Sequence, residues 1–179
     1  ELLAANGITL EVRTSAGSQQ NLERLNKDEA DIAFVQGGIN EVVNAEIENR
    51  SDSDLRSLGS VAFEPVWVFY RSDIRIDKLF QLDGQRIAVG EEGSGIHGLA
   101  LQLLEANEIK AKSKNLLPVA GLNAAEALQR GEIDAAFIVA APEAPVVQVL
   151  LRSPGVRVMS FSQADAYVRR FPFLSKIVL

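Results

Sequence analysis

Two segments of the sequence repeat one residue pattern 103 positions apart. Each copy predicts a helix, a tight turn at an acidic residue and a short apolar strand. The matching residues are Glu23, Leu25, Glu29, Asp31, Ala33 and Phe34 in the first copy and Glu126, Leu128, Glu132, Asp134, Ala136 and Phe137 in the second. The repeat favours two similar lobes built on the same unit. The alternative is that two α/β units share this turn chemistry by coincidence.

Short apolar runs alternate with helical patterns along the rest of the chain. Ile8, Leu10 and Val12 alternate with polar residues, which predicts a half-buried strand. Buried strands are predicted at residues 32–35, 86–89, 133–139 and 156–159, and strand formers also fill residues 55–70 around a break at Glu64-Pro65. This succession indicates an α/β fold with mixed, mostly parallel sheets flanked by helices.

Helices are predicted between these strands. One begins after a glycine-rich turn and buries the stripe Ile96, Leu99, Ala100, Leu103 and Leu104, with Asn107 as its cap. Another is predicted to start at a capping box of Asn123 and Glu126 and to end at Gly131. Further helices are predicted over residues 39–48 and from residue 163, and residues 51–54 are predicted to form a solvated loop.

Composition excludes several classes of function. The net charge of −6 without a basic cluster argues against nucleic acid as a partner. The sequence has no Cys, which excludes a thiolate zinc site and a cysteine nucleophile, and its single His, His97, leaves little room for a histidine metal site or a Ser-His-Asp triad. We therefore expect no enzymatic activity and no cofactor. The apolar runs are also too short to span a bilayer.

The two ends of the sequence are interpreted as cuts within a longer protein. The first residue is Glu1, and residues 2–7 resemble the last turns of a helix closed by an Asn-Gly cap. The other end stops within the apolar stretch 173–179.

A glycine-rich turn at residues 90–95 carries the first candidate site. Gly93, Ser94 and Gly95 come directly before a predicted helix, whose first N–H groups and dipole favour an anion. His97, one turn into that helix, is a further candidate donor. The alternative is an ordinary strand-to-helix turn with Ser94 as N-cap and His97 as a packing or surface residue.

The first half of the chain offers matching polar residues. Ser15, Gly17 and Ser18 form a small-residue turn whose hydroxyls and amides can hold the other end of a polar ligand, although Ser18 can instead cap the next helix. Gln36 follows a predicted strand, at the end where open α/β sheets bind ligands. Glu64 can pair with an amine or remain an exposed carboxylate. Trp67, Phe69 and Tyr70 are expected to pack in the core, with Tyr70 on the opposite face of the strand.

An ordered set of motifs resembles the TAXI family of type II periplasmic solute-binding proteins, the substrate receptors of one class of TRAP transporters. The resemblance covers nearly the whole chain and rests on Ser15-Ala16-Gly17-Ser18, Asn21-Leu22 and residues 29–36, 90–95, 124–137 and 170–173.

The resemblance implies a two-lobe fold with ligand between the lobes. Two segments would cross between the lobes, near residues 65–71 and 140–142, which adds Ala140 to the candidate ligand contacts. Lobe one would comprise residues 1–71 and 142–179, without the N-terminal strand and glycine-rich turn of the family, and lobe two residues 72–141.

The implied function is an extracytoplasmic receptor for TRAP-type transport. It would capture a small carboxylate compound, an amino acid or a dicarboxylate, in the periplasm and present it to membrane subunits of the transporter, with any membrane anchor carried by segments outside this sequence. The alternative function is an effector-binding domain of a regulatory protein, because some transcription factors carry the same two-lobe fold.

Overall fold

The computed structural model describes residues 3–39, 55–110 and 113–178. The predicted loop 51–54 and, beyond residue 39, the predicted helix 39–48 lie outside these ranges. Within them, no helix is both long and apolar enough to cross a bilayer.

Five α-helices lie in the described ranges. They are α1 (Ser18–Asn26), α2 (Gly95–Glu105), α3 (Gly121–Arg130), α4 (Pro145–Leu151) and α5 (Ala164–Arg170), and short 3-10 turns occupy Ala4–Asn6 and Leu79–Leu82. The predicted cap near the N-terminus is confirmed: Gly7 is left-handed and donates its N–H to the carbonyl of Ala4.

Five strands form a single mixed sheet in the order β3-β2-β4-β1-β5. The strands are β1 (Val66–Arg71), β2 (Ile87–Ala88), β3 (Leu116–Leu117), β4 (Ala135–Val139) and β5 (Val156–Val158). β2 runs parallel to β3 and β4, whereas β1 is antiparallel to both β4 and β5. The predicted α/β class with helices around a mostly parallel sheet is confirmed.

The alternation of side chains along β1 divides the core into two layers. Val68 and Tyr70 face the side that α2 covers, where Ala100, Leu103 and Leu104 pack. Trp67 and Phe69 face the opposite side, where α3 and α4 pack with Leu128, Val147 and Leu150. All four β1 side chains are at least 95% buried. The expectation that these aromatic residues serve the core is confirmed.

The repeat is visible in the structure as one helix-ending turn used twice. Asp28 and Gly131 occupy equivalent positions and both adopt left-handed backbone, with φ of 56° and 71°. The next residue in each copy donates its N–H to a carbonyl five residues back, Glu29 to Arg24 and Glu132 to Ala127, both at 2.9 Å. This is the long-range bond of a Schellman motif, so the repeated sequence specifies the way each helix ends.

The predicted strands of the first third of the chain do not form. Residues 8–12 and 32–35 are irregular, and Val12, Ile32 and Phe34 are 81%, 71% and 78% exposed. A β-strand requires a neighbour for its N–H and C=O groups. Neither segment pairs with a strand in the described residues, so alternation of apolar residues was not sufficient here.

Of two further predicted caps, one is wrong and the other is confirmed. Asn123 and Glu126 form no capping box, because α3 begins at Gly121 with Ala120 at its N-cap. Asn107 does cap α2, through its side-chain N–H, which donates to the carbonyl of Leu103 at 2.7 Å.

The predicted lobe boundaries cut across the sheet. β1 lies just before residue 72 and β5 lies after residue 141, yet both are hydrogen-bonded into the same sheet as β2 and β4. The division of the chain into two lobes remains a prediction, and any such division has to keep residues 66–158 together.

A bidentate ion pair closes the turn before β4. The Arg86 side chain donates to both carboxylate oxygens of Asp134, at 3.0 and 2.7 Å, and the backbone N–H of Arg86 adds a bond at 2.9 Å. The hydrogen bonds from the Arg86 side chain hold the pKa of Asp134 below its ordinary value, against the opposing effect of partial burial.

Replacing Asp134 by Asn should destabilise the protein by about 1 kcal/mol at neutral pH, the range of a hydrogen-bonded charge pair. Because the folded pKa is lowered, the ionised carboxylate stabilises above the unfolded pKa of about 4, and the benefit is lost as pH falls through the folded value. The stability difference between wild type and Asp134→Asn should therefore shrink below about pH 4 in urea unfolding. Glu143→Gln, at an exposed site after β4, is the control; a difference that persists in acid would contradict the assignment.

Replacing Tyr70 by Phe should cost about 1–3 kcal/mol, because it leaves a buried donor without its acceptor. The Tyr70 hydroxyl accepts the backbone N–H of Ile76 at 3.1 Å in the core. Tyr167→Phe is the matched control, since its hydroxyl bonds Asn107 in a half-buried position at 3.0 Å. Urea unfolding should show the larger loss at Tyr70, and equal losses would count against the argument.

Candidate functional site

Gln36 lies at the centre of the candidate residues. Its backbone N–H donates to the hydroxyl of Ser18 at 3.0 Å, and its side-chain N–H donates to the carboxylate of Glu64 at 2.6 Å. The structure thus joins three candidates that lie far apart in the sequence. Ser18 starts α1, and its hydroxyl accepts from Gln36 instead of capping that helix, for which Gly17 is the N-cap.

The two glycine-containing turns meet face to face beside Gln36. A methyl group placed on Gly17 would lie 3.2 Å from the Cα of Ser94 and 3.5 Å from the carbonyl oxygen of Gly93. A methyl group on Gly95 would overlap the carboxamide of Gln36. Close approach therefore favours glycine at both positions: a side chain at residue 17 would press on the turn 93–95, and one at residue 95 would displace the Gln36 carboxamide.

The turn at residues 93–95 leads directly into the N-terminus of α2. Ser94 is the N-cap, as the alternative interpretation expected: its hydroxyl accepts the N–H of His97 at 3.3 Å and donates to the carbonyl of Glu91 at 2.6 Å. The amides of Gly95 and Ile96 are those that an α-helix leaves without an intrahelical acceptor. A polar acceptor brought to this turn would meet both the free amides and the positive end of the helix dipole.

His97 is held by the backbone of its own turn. Its Nδ1 lies 2.9 Å from the carbonyl oxygen of Gly90, and because a carbonyl can only accept, Nδ1 carries the proton. This bond commits the Nδ1 proton to the turn and leaves only Nε2 for any other partner.

Glu64 adjoins the point where β1 begins and β4 ends. The N–H of Ala140 donates to the carbonyl of Pro65 at 3.4 Å, and the indole N–H of Trp67 donates to the carbonyl of Ala140 at 2.9 Å. These bonds bring Ala140 to the same end of the sheet as Glu64, although the Ala140 carbonyl is already used by Trp67.

The remaining candidates lie at the margin of the cluster. Gly93 is half-buried, and a methyl group there would lie 3.9 Å from the side-chain oxygen of Gln19. Ser15 is exposed in the bend before α1. The ligand-binding role of all ten candidates remains a prediction.

A small recess adjoins the cluster and includes residues that the motifs did not single out. It is too small to hold a water molecule and is lined by Gly37, Gly38, Ile39, Gly95, Leu99, Gln102 and Phe173. The Phe173 ring lies against Gly38, and Gln102 donates to the Gly38 carbonyl at 3.5 Å while its own side-chain oxygen is buried without a partner. The Gly37-Gly38 pair was the only sequence signal for this close packing.

The described residues contain no group of three or more His, Asp or Glu side chains arranged to hold a metal ion. The chemistry of the cluster is therefore that of hydroxyl, amide and carboxylate groups around a helix N-terminus. In proteins, groups of this kind are able to hydrogen-bond a polar molecule.

Solved structures of solute-binding proteins share this fold. The periplasmic aliphatic sulphonate binding protein SsuA from Escherichia coli superposes with a TM-score of 0.54 at 24% identity, over 83% of this chain and 48% of that one. An ancestral arginine-binding protein bound to arginine gives 0.55 at 16% identity, over 88% and 64%. The substrate binding protein of an amino acid ABC transporter gives 0.50 at 16% identity, over 90% and 63%.

The chain spans between about half and just under two thirds of the length of these proteins. In addition, a family model described as the NMT1-like family matches residues 1–179.

Replacing Gly38 by Ala should destabilise the protein more than replacing Gly84 by Ala. Both glycines have similar positive φ, 83° and 74°, so alanine at either position should cause a similar backbone strain of about 1 kcal/mol. Only at Gly38 would the new methyl group overlap the Phe173 ring, whereas nothing lies within 4 Å at Gly84. Urea unfolding of the two variants measures the difference, and equal losses would show that the Gly38–Phe173 packing is unimportant.

Proposed function

We propose, from the premise that this chain belongs to the NMT1-like family, that it is part of a solute-binding protein that captures a small carboxylate compound. The periplasmic binding protein-like fold supports the class of function. The finer proposal is that the ligand is an amino acid or a dicarboxylate, that the protein works outside the cytoplasm, and that it delivers its ligand to TRAP-type membrane subunits as the TAXI resemblance implies.

The observation that carries this proposal is the convergence on Gln36. Ser18 and Glu64, from separate parts of the chain, both bond Gln36, and Gly17 and Gln36 lie against the turn 93–95 at the N-terminus of α2. The α2 amides suit the carboxylate of a ligand, and Glu64 suits a donor such as an ammonium group. Two complementary ends are what a small zwitterion requires.

The mechanism that we propose is hinge opening and closure. Contact between Gly17 and Ser94 closes the two turns on each other, and the adjoining recess is too small to hold a water molecule, whereas typical ligand pockets enclose about 300 Å³ or more. A ligand would therefore enter when the turns separate and would then favour the closed state by contacting both sides.

Hinge closure requires two lobes, and the described five-stranded sheet can belong to only one of them. We propose that residues 66–158 form the core of one lobe and that residues preceding β1 belong to the other. The junction between Pro65 and Ala140, at the ends of β1 and β4, then lies where the chain passes between lobes. No covalent chemistry is assigned to the site, because its groups are suited to holding a ligand.

A thermal-shift screen tests the function. The panel is L-glutamate, 2-oxoglutarate, succinate, L-arginine and ethanesulfonate, added to the 179-residue chain. A ligand at a hundred times its Kd should stabilise the folded state by about 2.7 kcal/mol. Stabilisation by none of these compounds would overturn the proposal.

Substitution of Glu64 tells which part of the ligand it meets. If Glu64 binds an ammonium group, Glu64→Gln should weaken an amino acid by about 1.5–3 kcal/mol, the range for hydrogen bonds to charged groups, and leave a dicarboxylate unchanged. Gln85→Ala, an exposed site outside the cluster, is the control. Equal loss for both ligand types would contradict an ammonium contact.

A further inference from the structure

We propose that Gln36 occupies the ligand position in the empty protein and has to be displaced before a ligand can bind. This inference rests on the proposed function and deepens it, since it makes one side chain the competitor of the ligand. Gln36 would then set how tightly any ligand is held.

The packing of Gln36 on α2 is the first argument. Its carboxamide lies directly on Gly95, the first residue of α2, so closely that a methyl group there would overlap it. Gly95 is buried beneath this contact. The side chain therefore fills the space that a ligand oxygen would need to reach the helix N-terminus.

The hydrogen bonds of Gln36 are the second argument. Its side-chain N–H donates to Glu64 at 2.6 Å, so the carboxylate that would receive a ligand donor is already paired. The Gln36 carboxamide thus offers one oxygen towards α2 and one donor to Glu64, which is the polarity of a small ligand with an acceptor end and a donor end. A ligand with both ends replaces both interactions at once.

In the closed state, the anchoring of the Gln36 backbone leaves its side chain as the part that has to move for a ligand to fit. The backbone N–H is fixed to the Ser18 hydroxyl at 3.0 Å, and the next residue, Gly37, packs against Phe173. Rotation about the side-chain bonds of Gln36 is sufficient to uncover Gly95, whereas the backbone stays in place. Such rotamer changes are rapid compared with hinge motion.

Two substitutions test the displacement in the absence of any ligand. Gln36→Ala removes the carboxamide, and Gly95→Ala expels it, since the clash is with the far end of a flexible side chain. Each should speed hydrogen exchange of the amides of residues 95 and 96 by about tenfold by NMR, as expected if the covered state is about 90% populated. Gly95→Ala added to Gln36→Ala should cause no further change, because the clash partner is gone.

The same hydrogen-exchange measurement supplies the control and the results that would contradict the proposal. Gln85→Ala removes an exposed carboxamide and should leave this exchange as in wild type. The proposal would be overturned if Gln36→Ala left the exchange rates unchanged. It would also be overturned if the double variant exchanged faster by the product of the two single-variant factors. Thermal unfolding of each variant shows whether it is folded. If Gly95→Ala does not fold, Gln36→Ala alone remains the test.

Binding gives the second readout, with whichever of L-glutamate, 2-oxoglutarate or ethanesulfonate stabilises wild type. Loss of the competitor should make Gln36→Ala bind up to about tenfold tighter, since the apparent Kd is the intrinsic Kd divided by the competent fraction. Weaker binding would mean that Gln36 is a direct ligand contact and would overturn the proposal. If none of the probes binds wild type, the proposed function fails, while the exchange experiment still decides the role of Gln36.

Discussion

The pairing of β1 with β4 on one edge and β5 on the other is the interaction on which the rest of the structure depends. β1 is antiparallel to both neighbours, so it joins strands that would otherwise have no common partner. Its four central side chains, residues 67–70, are nearly fully buried and divide between the two faces of the sheet. At about 1.5–3 kcal/mol for each fully buried large side chain, β1 contributes a substantial part of the hydrophobic stabilisation.

The position of β1 also explains where the candidate site lies. Glu64 and Pro65 directly precede the strand, and the Ala140 N–H bonds Pro65 at the point where β4 ends. The chain that enters the sheet thus carries Glu64 to the same end as the glycine-rich turn before α2. Residues 17–18 and 36 reach this place by close approach at glycine, and among the described residues beside them a small apolar cluster buries Leu22 and Ile39. An interface held by close polar contacts in this way can separate at modest cost, as a ligand-gated hinge requires.

The repeat shows how far a short pattern controls structure. Both copies end their helices with the same left-handed residue and the same hydrogen bond, because these interactions lie within six consecutive residues. Only the second copy continues into a paired strand. Asp134 illustrates the difference: it binds Arg86 in the neighbouring strand segment, whereas the equivalent Asp31 is exposed. Local sequence specified the turn, and a neighbour in space decided whether a strand followed.

The α/β class, the strands from residue 66 onward, the helix behind the glycine-rich turn, the Ser94 cap and the core role of the β1 aromatic residues were all predictable from the sequence. These features arise from hydrophobic periodicity and from hydrogen bonds between residues close in the chain. The order of the strands, the absence of pairing at residues 8–12 and 32–35, the packing of Phe173 on Gly38 and the position of Gln36 over Gly95 were decided only by the tertiary structure. Each of these depends on which distant segment packs alongside. The local sequence of one segment does not specify which other segment it contacts.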